Sequence, residues 1–208
     1  MVSRIHEIVG HLADELERKN AARDKALLDT RKLIRQAALA IRALHRGDAE
    51  EAGQLLEHGS EIVRQIREDL CSYPDLYWSG YVQDAQKEYA EASLVSALIA
   101  GRPPPAPDEL NVELGPYLNG LGEAASEMRR YVLDVIRHGG AERHADGERA
   151  LAIMDDIYTA LITVDFPDAL TGGLRRTTDL VRGVLERTRG DLTMSLRQAQ
   201  LEQALTLR

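Results

Sequence analysis

Glu88 and Glu91 lie one helical turn apart in Tyr81-Val82-Gln83-Asp84-Ala85-Gln86-Lys87-Glu88-Tyr89-Ala90-Glu91-Ala92-Ser93-Leu94-Val95-Ser96-Ala97-Leu98-Ile99. From Ala92 to Ala100 the chain carries no charge, so the second half of this helix is expected to be buried on most sides. Helical spacing places Glu88, Glu91, Val95 and Leu98 on one stripe, with the carboxylates at the edge of the buried face. Like charges at this spacing cost a helix about 0.2–0.5 kcal/mol, and desolvation adds to that. The pattern therefore predicts something cationic opposite them, either a basic side chain or a metal ion. Lys87 points about 100° away on a helix and is not expected to neutralise both. The plain alternative is a solvated helix face, where such pairs are common.

A second acidic pair, Glu123 and Glu127, lies further along. Both flank the seam Leu114, Leu118, Leu121, Ala125, Met128, Val132, Val135, and the neighbouring stripe Tyr117, Gly120, Ala124, Glu127 is small enough in the middle to admit another helix closely. If the two helices pack side by side, Glu88, Glu91, Glu123 and Glu127 can converge. Four oxygen ligands without histidine or cysteine suit a hard cation, Mg2+ with Mn2+ as the alternative. Here too a solvated face is the alternative, with Arg129 and Arg130 as ordinary partners. A di-iron bundle fits poorly. It needs Glu-x-x-His on two helices, whereas Glu91 follows Glu88 and Arg130 follows Glu127 at that spacing, and the six histidines show no ligand spacing.

The elements that must position these acids read as helical nearly throughout. Ile5, Ile8, Leu12 and Leu16, then Leu27, Ile34 and Ile41, predict a first helix from about Val2 to His45, bent near Asn20. Arg46-Gly47-Asp48 stops it, and Asp48 caps a second helix through about Leu70. A third is expected from about Leu76 to Ala100, a fourth from about Glu113 to His138, and a fifth from about Asp146 to Thr163. A sixth begins after Phe166-Pro167-Asp168 and ends at Arg189-Gly190, leaving residues 191–208 as a short amphipathic tail. Residues 101–112, which include Gly101-Arg102-Pro103-Pro104-Pro105-Ala106-Pro107, read as a loop within one domain spanning residues 1–208. The expected fold is an all-α single-domain bundle of six to seven helices.

Composition narrows the class. Aromatics make up 4% of the 208 residues, so the core must be Leu, Ile, Val and Ala. The single cysteine, Cys71, excludes an intrachain disulfide framework and fits a cytoplasmic location. No stretch is long and apolar enough to span a bilayer, and a membrane partner is not expected. A net charge of −8 argues against an indiscriminate nucleic-acid coat but not against a local basic groove. Arg31, Arg35, Arg42 and Arg46 fall in a helical strip about 60° wide, bordered by His45, in a stretch without acidic residues. That strip is either a track for nucleic-acid phosphates or a partner for acidic faces such as Glu50, Glu51 and Glu57. Tyr73, Tyr77, Trp78 and Tyr81 could stack on unpaired bases, but core or subunit packing is the favoured reading.

Several segments resemble one family. Phe166-Pro167-Asp168-Ala169-Leu170-Thr171-Gly172-Gly173-Leu174-Arg175-Arg176-Thr177-Thr178-Asp179, continuing to Glu186-Arg187-Thr188-Arg189-Gly190-Asp191-Leu192-Thr193, resembles the C-terminal helix of the translin superfamily. The helix ending Ile41-Arg42-Ala43-Leu44-His45-Arg46-Gly47 is similar to another part of it. Gln86-Lys87-Glu88-Tyr89-Ala90-Glu91-Ala92 resembles the Gln-Glu-Tyr-Val-Glu-Ala element of translin-associated factor X, the catalytic branch. The translin branch lacks this acidic pair, and a lone chain of this type resembles the archaeal members.

The resemblance implies an all-α fold of about seven helices, assembled here as a homo-oligomer, with an octamer expected. It implies single-stranded RNA, and single-stranded DNA as a further ligand, held inside, and Mg2+-dependent RNA cleavage where the acidic set is present. By position, Glu88 and Glu91 match two catalytic glutamates and Glu127 a third acid. Glu123 stands where factor X carries Asp, one methylene shorter. The expected function is thus a Mg2+-dependent endoribonuclease in which metal-activated water attacks the phosphodiester, with Arg31, Arg35, Arg42 and Arg46 along the RNA. The alternatives are a translin-like particle that binds single strands without cutting them, and a protein-interaction hub without nucleic-acid affinity.

Overall fold

The computed structural model describes residues 2–138 and 143–206. Among these the chain forms eight helices and no strand: α1 (Val2–His45), α2 (Ala49–Asp69), α3 (Pro74–Tyr77), α4 (Gly80–Ile99), α5 (Leu114–His138), α6 (His144–Leu161), α7 (Asp168–Thr171) and α8 (Leu174–Thr206). The all-α bundle is as expected.

The punctuation follows local chemistry. Gly47 takes a left-handed φ of +78° that ends α1, and the Asp48 carboxylate accepts the Glu51 N–H at 3.0 Å to cap α2. Asn20 does not interrupt α1. Its side chain instead donates to Asp24 one turn on. The expected third helix is split into α3 and α4 at Trp78-Ser79, where Ser79 adopts extended backbone and its hydroxyl donates to the Leu76 carbonyl at 2.5 Å. Gly190 does not stop the last helix, so the expected tail is the continuation of α8, with residues 207 and 208 outside the described residues. An interior glycine costs a helix about 1 kcal/mol relative to alanine. Burial of Leu192 just beyond it, at about 1.5–3 kcal/mol, outweighs that.

α4 is the central element, which explains its charge-free second half. Its first half packs with α1, α2 and α3 around Leu33, Val63, Leu70, Val82 and Tyr89. Its second half joins α5, α6 and α8 around Leu94, Val95, Met128, Met154, Leu185 and Leu192. The 101–112 connector contains no helix and is tied down by burial of Leu110 and Val112 and by Tyr117 Oη donating to the Pro105 carbonyl at 2.8 Å. Gln86 fixes the start of α5: its buried side-chain carbonyl accepts the Glu113 N–H at 2.8 Å.

Candidate metal centre

Gly120 sets the geometry. A Cβ at this position would lie 2.8 Å from the Lys87 carbonyl and 3.0 Å from the Glu91 amide nitrogen, so only glycine lets α5 approach α4 this closely. Glu123, three residues on, then faces the α4 pair. Glu88, Glu91 and Glu123 each present a carboxylate oxygen within 4.8 Å of the others.

Glu91 is only 8% exposed. Burial, reinforced by the charges of Glu123, Glu88 and Glu127, pushes its carboxyl up to about 8. The three acids share too little positive charge, which is the electrostatic condition of a cation site. A trio of hard oxygen donors fits Mg2+ or Mn2+, and Glu88, Glu91 and Glu123 are the residues that could hold it.

Lys87 departs from expectation. Its backbone position points away from the pair, but the flexible stem brings Nζ to 2.7 Å from Glu123 and 3.2 Å from Glu88. Burial works against its charge, yet Glu123 and Glu88 hold its pKa above the ordinary lysine value. It neutralises one acid of each helix and leaves Glu91 without an ion pair among the described residues.

Glu127 is not one of the trio. Its Oε2 lies 2.5 Å from Nε2 of His45, whose side chain is 4% exposed at the last turn of α1. The imidazole hydrogen bond, with Arg130 as a further cation, holds the Glu127 carboxyl below its ordinary value despite half-burial. Nδ1 of His45 is buried without a hydrogen bond and faces Asp134 at 3.8 Å. Sequence spacing set His45 beside the arginine strip but gave no sign of its pairing with Glu127, which is 82 residues away.

Arg31, Arg35 and Arg42 lie exposed on the face of α1 opposite Leu33, Ala37 and Ala40, and Arg46, exposed, follows in the turn just past the helix end. Arg46 pairs with Glu51, whereas Arg31, Arg35 and Arg42 make no ion pair among the described residues. Tyr77 is core, donating to Glu113 at 2.7 Å, while Trp78 stands exposed against it.

No protein-family model matches the chain. The fold is similar to that of AfC3PO in its duplex RNA complex, with a TM-score of 0.83 and 30% identity over 91% of this chain and 97% of that one. AfC3PO alone gives a TM-score of 0.84 at the same identity and coverage. The chain belongs to the translin superfamily. Apo-NeC3PO, at 20% identity over 90% of this chain and 96% of that one, has the same fold with a TM-score of 0.81. An uncharacterized protein of Methanocaldococcus jannaschii, MJ0175, is 28% identical over 199 residues, 95% of this chain and 86% of that protein. Within this translin-superfamily fold the acidic trio occupies the seam between α4 and α5. No described helix is long and apolar enough to cross a membrane.

Proposed function

We propose that this protein is a Mg2+-dependent endoribonuclease acting on single-stranded RNA inside a homo-oligomeric particle, with Mn2+ as the alternative ion and single-stranded DNA as a further ligand. The observation that carries this reading is the Glu88–Glu91–Glu123 trio, three carboxylate oxygens within 4.8 Å of one another around a buried, charge-starved Glu91. The related AfC3PO has been captured with duplex RNA, which supports RNA as the ligand class.

Glu88, Glu91 and Glu123 hold the ion in this reading, and Glu127, fixed by His45, supplies the fourth acid from the next turn. When bound, a divalent ion supplies Lewis acidity for in-line attack of water on the phosphodiester. The free guanidinium groups of Arg31, Arg35 and Arg42, with Arg46 beside them, attract the RNA backbone. Hydrolysis of this kind leaves 5′-phosphate and 3′-hydroxyl ends, and cyclic phosphate products overturn it.

Assembly is supported by apolar surface that the single chain leaves uncovered: Ile5, Ile8, Val9, Leu12 and Leu16 on α1, and Met194, Leu201 and Leu205 on α8. An octamer is the assembly proposed.

A second reading, a single-strand-binding particle that does not cut, is favoured by Lys87, which already supplies a positive charge to Glu88 and Glu123. One experiment separates the two. Labelled single-stranded and duplex RNAs are incubated with wild type and with the Glu88→Ala/Glu91→Ala variant, in Mg2+ or EDTA. The nuclease reading expects Mg2+-dependent cutting that the variant loses while still binding. Binding without cutting by the wild type establishes the second reading.

A further inference from the structure

A cleft of about 510 Å3 opens beside the trio, between α4, α5 and the start of α8. Lys87 and Glu123 are on its lining, and Glu123 belongs to the trio, so the cleft adjoins the proposed metal centre directly. The same lining carries Arg176 from α8, exposed and without an ion pair among the described residues. Gly172 and Gly173 are also on the lining, and their φ values of +63° and +87° turn the chain from α7 into α8 without placing side chains in the opening. A Cβ on Gly173 would meet nothing within 4 Å, so this side is open.

The cleft is built rather than incidental. Buried Asn119 clamps both edges, donating to the Thr171 carbonyl at 2.6 Å and accepting from Thr177 Oγ1 at 2.6 Å. Gly122 removes the Cβ that would collide with Thr177, which lets α8 close against α5. Asp84 and Glu123 are the acids on the lining, against Lys87 and Arg176. Glu123 is already bonded to Lys87, and exposed Asp84 shares α4 with it. Arg176 is therefore the uncommitted charge of the cleft, and a guanidinium binds a phosphate through two parallel N–H groups.

We infer that this cleft is a phosphodiester-binding subsite, in which Arg176 and Lys87 grip the RNA phosphate next to the one that would be cut at the carboxylates. The inference rests on the nuclease reading for the meaning of the neighbouring phosphate, but the binding it asserts is measurable without cleavage. The cleft's size suits one nucleotide unit of a strand, in the general range of ligand pockets of about 300–1,000 Å3.

The test uses the full chain and a short 2′-O-methyl single-stranded oligonucleotide, which resists cleavage, titrated in EDTA by fluorescence anisotropy at several salt concentrations. Arg176→Gln is expected to weaken binding about five- to tenfold and to reduce the slope of log affinity against log salt by about 1. Lys87→Gln is expected to weaken it in the same direction. Arg175→Gln removes the same charge one residue away, on the lining of a different cleft, and is expected to leave the slope unchanged. Exposed arginines on α8 do not contribute to the core, so folding is not at stake.

Wild-type affinity and slope in Arg176→Gln overturn the subsite, as does an equal effect of Arg175→Gln or no binding by the wild type at low salt. The companion assay is Mg2+-dependent cutting of unmodified RNA by the wild type. Cutting together with an unaffected Arg176→Gln sinks the subsite alone. Probe binding with the expected signature but no cutting sinks the nuclease reading alone.

Discussion

Nε2 of His45 meets Oε2 of Glu127 at 2.5 Å, tying the last turn of α1 to the middle of α5 one turn from the carboxylate trio. The bond holds an ionised acid in half-buried surroundings, close enough that its charge still acts on Glu91. It also anchors the end of the helix that carries the arginine strip.

His45→Ala removes the partner of Glu127 and is expected to cost about 1–3 kcal/mol, the penalty of a polar group left unmatched. Because the Glu127 pKa is lowered, the stability from this pair is present above the ordinary carboxylate range and is lost as pH falls through the lowered value. Urea denaturation of wild type and His45→Ala at neutral and acidic pH should show the gap between them closing in acid. His45→Gln, which keeps a donor, should recover part of the loss.

Glu91 behaves in the opposite sense. Its folded pKa is raised to about 8 from a model-peptide value of 4.5, so the metal-free fold is favoured below the lower value and loses stability as pH rises through the upper one. Glu91→Gln is neutral at every pH and should flatten that part of the profile. Denaturation midpoints in EDTA at pH 5, 6.5 and 8 would check it, and a wild-type slope retained in the variant would count against this account.

Metal binding should draw a proton off the same residue. With its carboxyl pushed up to about 8, Glu91 is expected to hold its proton at neutral pH in the metal-free protein, and a divalent ion needs the carboxylate. Mg2+ or Mn2+ affinity is expected to rise with pH up to about 8, and the heat of binding should vary with the buffer's own ionisation enthalpy. Calorimetry in two buffers reads out the released proton.

Gly120→Ala should push α4 and α5 apart at the trio, because backbone atoms of Lys87 and Glu91 lie 2.8 and 3.0 Å from the added carbon. Overpacking of this kind costs about 1–3 kcal/mol and should weaken metal binding with it. Gly53→Ala on α2 is the contrast: nothing lies within 4 Å, and the expected change is a stabilisation of about 0.4–1 kcal/mol. Equal effects of the two substitutions would remove the case for a close approach at Gly120.

Reversing Arg35 and Arg42 to Glu tests the α1 strip. Both are exposed and make no ion pair among the described residues, so the fold should tolerate the change, while RNA affinity and its salt dependence should fall. Arg46, already held by Glu51, should matter less when substituted singly. Filter binding at two salt concentrations decides it.

Much of this was legible along the chain. The uncharged run after Glu91 announced a buried half-helix, and α4 supplies buried side chains to all three core clusters. Gly120 and Ala124 announced the close approach of α5 to α4, and with it the meeting of Glu88, Glu91 and Glu123. These are local patterns: periodicity fixes which side chains share a face, and small residues fix where helices may touch. Gly190, a stop in sequence terms, failed as one because Leu192 is buried against α5 and α6.

Three relationships belonged to tertiary structure alone. Lys87 reaches Glu123 across 36 residues, His45 reaches Glu127 across 82, and Asn119 joins Thr171 to Thr177 across more than 50. A side chain's direction from its own helix could not reveal them, since a lysine stem bends and a histidine's partner is set by which helix arrives opposite it. The sequence determined that the acids would sit on facing helices at the edge of a core. Which of them remain short of positive charge was decided only when the helices packed, because charge balance depends on through-space distances that no spacing along the chain contains.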